Sequence, residues 1–126
     1  MEQLAQFIDQ AYLSLETYRK NGVAMPTPVW FAQNGNFFYV STFINAGKVK
    51  RILNNPEVRI TPCGMQGEIF GQWVSATAHL ADNEEARTAE AALDAKYGER
   101  RREFMRQNPL PPEKRAYLVI FVSPNP

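Results

Sequence analysis

Residues 29–42, VWFAQNGNFFYVST, contain the pattern that decides the fold. Two runs rich in aromatic and β-branched residues flank Asn34-Gly35, a pair suited to the left-handed backbone of a tight hairpin turn. The stretch therefore predicts two antiparallel strands, over residues 28–33 and 36–42.

The segments around this hairpin extend it into a mainly β chain. Alternating apolar and polar residues predict strands over 12–19, over 57–63 and over 68–80, the last kinked or bulged at Gly71. The apolar segment AYLVIFVSP predicts a buried final strand. NGVAMPTP contains prolines that cannot donate to a central ladder, and it is expected to form a turn or an irregular edge.

Helical signals are fewer and lie between the strands. Apolar spacing predicts short helices over 2–10 and after Gly47, and a longer helix that begins at an Asp82–Glu85 capping box and ends at Gly98. The charged segment that follows is expected to form a short helix and a surface loop. About six mostly antiparallel strands with helices at their edges predict a small closed or split β-barrel.

Length and composition limit the classes of function. The 126 residues fit a single domain, 1–126. A net charge of +1 is too small for a general nucleic-acid or membrane-surface role, so any anion site must be local. The lone Cys63 excludes an intrachain disulfide, and the sequence has no membrane-length apolar run and no signal-peptide pattern. We therefore expect a soluble, cytoplasmic protein.

Residues 41–56, STFINAGKVKRILNNP, form the most suggestive candidate site. Lysines at a helix start are unfavourable beside its partial positive charge, unless an anion lies between them and the free backbone N–H groups. Thr42, Gly47, Lys48 and Lys50 could hold a phosphate in this way. The alternative is a solvated helix start whose lysines and Arg51 only keep the surface soluble.

Other chemistry-bearing residues have ordinary structural explanations. Cys63 is expected to be a small buried hydrophobe, and one histidine, His79, with one cysteine makes a poor catalytic pair and a poor metal site. Trp30 and Trp73 are more often core or interface residues than ligand platforms. The catalytic residues are unknown, and a protein of this kind can take its chemistry from a cofactor.

The segment VSTFINAGKVKRILNNPEVRITPC, residues 40–63, resembles the core signature of the pyridoxamine 5′-phosphate oxidase-like split β-barrel family. LSLETYRKNG, GQWVSATAHL and ALDAKYG fit the same pattern, and the similarity is closest to the F420-dependent branch. The resemblance implies a six-stranded antiparallel split β-barrel with peripheral helices, of the FMN-binding split-barrel type.

The resemblance also implies where the cofactor phosphate is held. In the family it lies against the loop and helix after the third strand. Thr42 matches the hydroxyl at the strand end, and Lys48 matches the phosphate-binding lysine, with Gly47 and Val49 as its backbone neighbours. Lys50 is a further candidate for the phosphate, or for the longer anionic tail of F420.

The isoalloxazine ring is expected in a groove at a homodimer interface. Thr27, Pro28 and Val29 match the strand segment whose backbone lies along the ring, and Trp73 falls on the long strand that could face the partner's cofactor. No nucleic-acid, membrane or metal partner is implied.

Departures from the family pattern narrow the expected chemistry. The stretch MPTPV lacks the arginine with which the FMN oxidases help to bind phosphate, and the region that binds pyridoxal phosphate does not follow the last strand. The resemblance therefore implies hydride transfer between bound F420 or FMN and a small organic substrate, rather than vitamin B6 oxidation. The alternative is a non-catalytic binding module for a flavin, F420 or haem.

Overall fold

The computed structural model describes residues 2–124, which form seven antiparallel strands and four α-helices. The strands are β1 Tyr12–Tyr18, β2 Ala24–Trp30, β3 Ala32–Asn34, β4 Phe37–Phe43, β5 Glu57–Cys63, β6 Val74–Leu80 and β7 Arg115–Phe121. The helices are α1 Glu2–Ala5, α2 Gly47–Asn54, α3 Asn83–Tyr97 and α4 Glu99–Gln107, and a 3₁₀ turn spans Pro112–Lys114.

The strands form one sheet in the order β2-β1-β5-β6-β7-β4-β3. Strands β2 and β3 lie at opposite edges of that sheet, yet a single residue, Phe31, connects them in the chain. Because neighbouring Cα atoms are about 3.8 Å apart, the two edges must approach each other at Phe31. The sheet therefore curls into a half-barrel, and the prediction of a mainly β split barrel with peripheral helices is confirmed.

Phe31 interrupts the strand because its backbone bonds to a tyrosine instead of a neighbouring strand. Its N–H donates to the Tyr97 hydroxyl at 2.9 Å, and that hydroxyl is in turn within donating distance of Phe31 O, at 2.9 Å, and Ala11 O, at 2.7 Å. Burial raises the pKa of Tyr97 to about 12, so the hydroxyl keeps its proton. Both backbone groups of this fully buried residue are thus satisfied without a ladder.

This break explains why the count of six strands was wrong. The predicted strand 28–33 is divided at Phe31 between β2 and β3, which lie at opposite edges of the sheet. Its predecessor, NGVAMPTP, is regular from Ala24 onward, and its prolines lie on the edge strand β2, where unpaired N–H positions are tolerated. The predicted hairpin is confirmed: Asn34 pairs with Phe37, and Gly35 takes the positive φ of 59° that the turn requires.

The predicted long strand 68–80 was wrong in its first half. Strand β6 begins only at Val74, because the preceding loop bonds to the N-terminal segment. The Gln6 amide donates to Gln72 O and accepts from Gln72 N, both at 2.9 Å. A Cβ at Gly71 would overlap Gln6 Oε1, so this glycine permits a close approach instead of a bulge in a strand.

The predicted caps of the long helix are confirmed. Asp82 accepts from Glu85 N at 2.8 Å, and the Glu85 carboxylate accepts from Asp82 N at 3.0 Å, which completes a capping box. Helix α3 ends at Gly98, whose φ is 56°. The buried Arg101 of α4 then bonds to carboxylates of α3, which holds the two helices together.

Two hydrophobic clusters fill the two faces of the sheet. The inner face is filled by α2 and the strands; its fully buried members include Leu13, Leu15, Phe31, Phe38, Ile60 and Leu118. On the outer face, α3 packs Ala89 and Leu93 over β3, β4 and β7. Within residues 2–124, no helix combines the length and the apolar character needed to span a bilayer.

Replacing Tyr97 by Phe tests the role of its hydroxyl in closing the sheet. Tyr97→Phe leaves the buried Phe31 N–H without an acceptor, and we expect the free energy of unfolding to fall by about 1–3 kcal/mol. Urea denaturation measures this change. Tyr12→Phe is the matched control, since the Tyr12 hydroxyl makes no hydrogen bond to the described residues. Equal effects of the two substitutions would contradict the assignment.

Candidate functional site

The split of the half-barrel runs between β2 and β4, which are not hydrogen-bonded to each other. Extending the β3–β4 register, in which Ala32 faces Tyr39, three residues backward places Val29 opposite Thr42. At that point β2 pairs with β1 instead, so the two strands diverge. The predicted segment at Thr27 and the predicted hydroxyl of Thr42 therefore lie on the two sides of one opening.

Side-chain direction follows from the strand pairing. Thr27 faces Leu15 and Val29 faces Leu13, and both leucines lie in the inner cluster, so Thr27 and Val29 point inward. Pro28 points to the outer face. Thr42 follows the buried Val40 at the two-residue period, so its hydroxyl is also on the inner side.

Helix α2 begins four residues after β4 and packs against β1 and β6. Its N-cap, Ala46, has no side chain to cap the helix, and the first turn has no acidic residue. The N–H groups of Gly47 and Lys48 have no backbone acceptor among residues 2–124. This helix start therefore offers two free donors and the positive end of a helix dipole.

Two cationic side chains add to that charge. Burial, and next the nearby charge of Arg51, lower the pKa of the Lys48 amine. The Arg51 side chain runs back along the first turn, and its Nη1 lies 2.8 Å from where a Gly47 Cβ would be. Its Nε donates to the buried Thr17 hydroxyl at 2.6 Å. We call Thr17, Gly47, Lys48 and Arg51 the α2 cationic cluster.

The cluster has no counter-ion in the part of the chain that the structure describes. Neither Lys48 nor Arg51 has a carboxylate within ion-pair distance there. Like charges beside a helix N-terminus repel one another, and an anion would relieve that repulsion. The arrangement is therefore suited to binding a phosphate or another small anion.

Two members of this cluster, Thr17 and Arg51, were not among the predicted site residues. Arg51 was treated only as a solubilising residue, although its spacing of four from Gly47 places it over the first helical turn. Thr17 shares a face of its strand with Leu13 and Leu15 at the two-residue period, and a polar residue on that apolar face was the available signal. Both belong to the site because they order the charge around Gly47.

Three further predicted site residues are not members of the cluster. The Val49 side chain is buried in the core, so only its backbone could face a ligand, while Lys50 is exposed. Trp73 lies outside β6 and therefore does not fall on a long strand as predicted. Its ring stacks 4.7 Å from the guanidinium of Arg59, on the outer face of the sheet.

A buried carboxylate orders that outer face. Arg59 pairs with Glu16 at 2.6 Å, and the Tyr18 hydroxyl donates to the same carboxylate at 2.7 Å. The hydrogen bond from Arg59 lowers the pKa of the Glu16 carboxyl. Glu16 and Arg59 are cross-strand partners, and Glu16 follows the inward-facing Leu15. Arg59 and Trp73 therefore lie on the opposite face of the sheet from the α2 cationic cluster of the same chain.

Cys63 and His79 do not form a site. Cys63 is buried, and burial raises the pKa of its thiol. His79 lies at the other end of β6, where it contacts Glu85 at 2.7 Å. No three His, Cys, Asp or Glu side chains of the described residues come together as metal ligands would.

Comparison with known proteins identifies the family. The model of the pyridoxamine 5′-phosphate oxidase family matches residues 1–122. No curated protein sequence matches the chain.

Solved structures share the fold at low sequence identity. A haem storage protein from Vibrio cholerae is 18% identical, with a TM-score of 0.71 over 97% of this chain and 88% of its own. An F420 reductase is also 18% identical, with a TM-score of 0.63 over 98% and 94%. A haem-binding protein from Mycobacterium smegmatis is 12% identical, with a TM-score of 0.68 over 96% and 48%.

Gly47→Ala tests whether the arginine position matters for anion binding. The new Cβ would displace the Arg51 guanidinium, which is the end of a flexible side chain, so the fold should tolerate the change. We expect phosphate binding, followed by ³¹P NMR, to weaken by about 1 kcal/mol, the size of one lost hydrogen bond. Ser75→Ala, at an exposed position of β6, is the control. Unchanged phosphate affinity in Gly47→Ala would remove Arg51 from the site.

Proposed function

Because the chain belongs to the pyridoxamine 5′-phosphate oxidase family, we propose that it is an oxidoreductase that uses bound F420 or FMN. The observation on which this rests is the α2 cationic cluster, which has no counter-ion among the described residues and stands at the start of the helix that follows β4. A small organic substrate would exchange a hydride with the cofactor, which supplies the redox chemistry when bound.

The residues present fit a phosphorylated cofactor. Lys48 and Arg51 supply charge, the N–H groups of Gly47 and Lys48 supply donors, and Thr42 supplies a hydroxyl at the strand end. Lys50, exposed two residues after Lys48, would meet a longer anionic tail. These groups are held before any ligand arrives, because α2 packs into the core through Val49 and Ile52.

The flat ring of the cofactor would lie along β2. Pro26 and Pro28 leave this edge strand with fewer N–H donors, and its neighbour β4 does not pair with it. The free edge at Thr27 to Val29 therefore offers backbone groups to a heterocycle. Their role in holding the ring is part of the proposal.

A second copy of the chain would complete the groove. Helix α3 packs on β3, β4 and β7, and Trp73 and Arg59 remain partly exposed on the outer face near β5 and β6. In a homodimer this face would bring Trp73 towards the cofactor of the partner. Trp73 would then limit which substrates can stack over the ring.

The second candidate is a binding module without turnover. The described residues provide no activated nucleophile, and two proteins of similar structure are named for binding or storing haem. The single histidine of the chain, His79, is half-exposed and contacts Glu85, and it would be the haem ligand to test. Loss of a Soret shift in His79→Ala would support this candidate.

Cofactor binding and turnover separate these functions. Purified protein is titrated with FMN and with F420, and we expect fluorescence changes that give a Kd below about 100 µM for at least one of them. Reduced cofactor is then supplied with quinone and nitro compounds. Turnover supports the oxidoreductase, and tight binding without turnover supports the module. Failure of both cofactors to bind would reject the proposal.

Lys48→Ala tests the phosphate contact directly. If the amine pairs with the cofactor phosphate, binding should weaken by about 1.5–3 kcal/mol, as for loss of a charge-assisted hydrogen bond. Lys20→Ala, at the exposed β1–β2 turn, is the matched control, because it removes the same charge at a distance. A loss smaller than about 0.3 kcal/mol in Lys48→Ala would exclude the contact.

A further inference from the structure

A cavity lies at one end of the sheet, beneath the start of α3. It has a volume of about 330 Å³, between the first turn of α3, the start of β7 and the 3₁₀ turn. Its apolar walls are formed by Ile44, Leu80, Ala81, Ala86, Pro112 and Ala116. This size is near the lower end of cavities that hold small molecules, about 300–1,000 Å³.

Three polar side chains line the same cavity and lack firm partners. Arg115 makes a single long contact to Leu110 O at 3.5 Å, and it has no carboxylate within ion-pair distance among residues 2–124. The side chains of Asn83 and Tyr117 make no hydrogen bond within that range. Tyr117 is only 8% exposed and lines the cavity with a largely covered side chain.

Neighbouring carboxylates do not neutralise this guanidinium. Asp82 caps α3 by accepting from Glu85 N, and Glu85 accepts from Asp82 N and contacts His79. Both side chains are therefore committed to the helix start. Arg115 remains the only charged side chain among the cavity residues.

The cavity is separate from the α2 cationic cluster. Tyr117 pairs with Ser41, and both alternate with core residues whose side chains fill the inner face. Arg115 and Tyr117 thus point outward, whereas Thr17 and Thr42 point inward. A ligand in this cavity would not occupy the proposed cofactor phosphate site.

We propose that this cavity is a second ligand site, which binds a small organic acid with a single aromatic ring or a branched apolar body. The Arg115 guanidinium would hold the carboxylate through its two parallel N–H donors, and Tyr117 and Asn83 would add donors. Ile44, Leu80 and Ala86 would contact the apolar body. This site does not depend on the proposed redox function.

Benzoate is a suitable probe, with benzyl alcohol as its uncharged counterpart. In NMR titrations of the full chain we expect benzoate to bind with a Kd of about 1 mM or tighter, and to shift the side-chain amide of Asn83 and the methyl of Ala86. Benzyl alcohol should bind at least tenfold more weakly. Equal binding of the two probes would overturn the role of the guanidinium.

Variants of the arginine locate the site. Arg115→Met should raise the Kd for benzoate at least tenfold, and Arg115→Lys, which keeps the charge but not the planar donor pair, should raise it by a smaller factor. Arg19→Met, at the exposed β1–β2 turn, should leave it unchanged. If Arg115→Met does not fold, Arg115→Lys and Tyr117→Phe give the same test.

Two outcomes would overturn the proposal. One is a benzoate Kd that is the same in the Arg115 variants as in the parent chain. The other is inorganic phosphate that displaces benzoate at equal concentration, which would make the site a phosphate site instead of a carboxylate site. Neither outcome depends on FMN or F420 binding, so failure here is distinguishable from failure of the proposed function.

Discussion

One covalent constraint determines the shape of this sheet: a single residue, Phe31, joins the strands at its two edges. A flat seven-stranded sheet would hold those edges about 30 Å apart at ordinary strand spacing, far beyond the reach of one residue. The sheet therefore has to curl, and the Tyr97 hydroxyl supplies the hydrogen bonds that Phe31 cannot make to a strand. The hydrogen bonds between Tyr97 and Phe31 thus both close the sheet and attach α3 to it.

The same constraint produces the opening used by the proposed site. Away from Phe31, β2 pairs with β1 whereas β4 pairs with β7, so β2 and β4 must separate. Helix α2 begins four residues after β4, and its apolar side enters the core. Fold and site are therefore coupled through topology, and a different connection at Phe31 would give neither.

The sequence predicted the parts of the fold that depend on local pattern. The Asn34-Gly35 turn, the Asp82–Glu85 capping box and the apolar last strand each have a short-range signature, and each is confirmed. The break at Phe31 and the late start of β6 depend on partners 66 residues away, Tyr97 and Gln6, which periodicity cannot reveal. In the candidate site, Lys48 was predicted from the residues around it, whereas Arg51 was interpreted only as a charge that keeps the surface soluble.

The burial of Lys48 bears on how such a site could work. Folding has already removed part of the water from this amine and has brought Arg51 near it, so the unfavourable steps precede any ligand. An arriving phosphate would meet donors that are already partly desolvated and ordered, so less of the interaction energy would be lost in rearranging them. The structural cost is a local repulsion that the core contacts of Val49 and Ile52 must outweigh. Burial of Val49 and Ile52 therefore anchors this short helix firmly enough to hold Lys48 and Arg51 at its positive end.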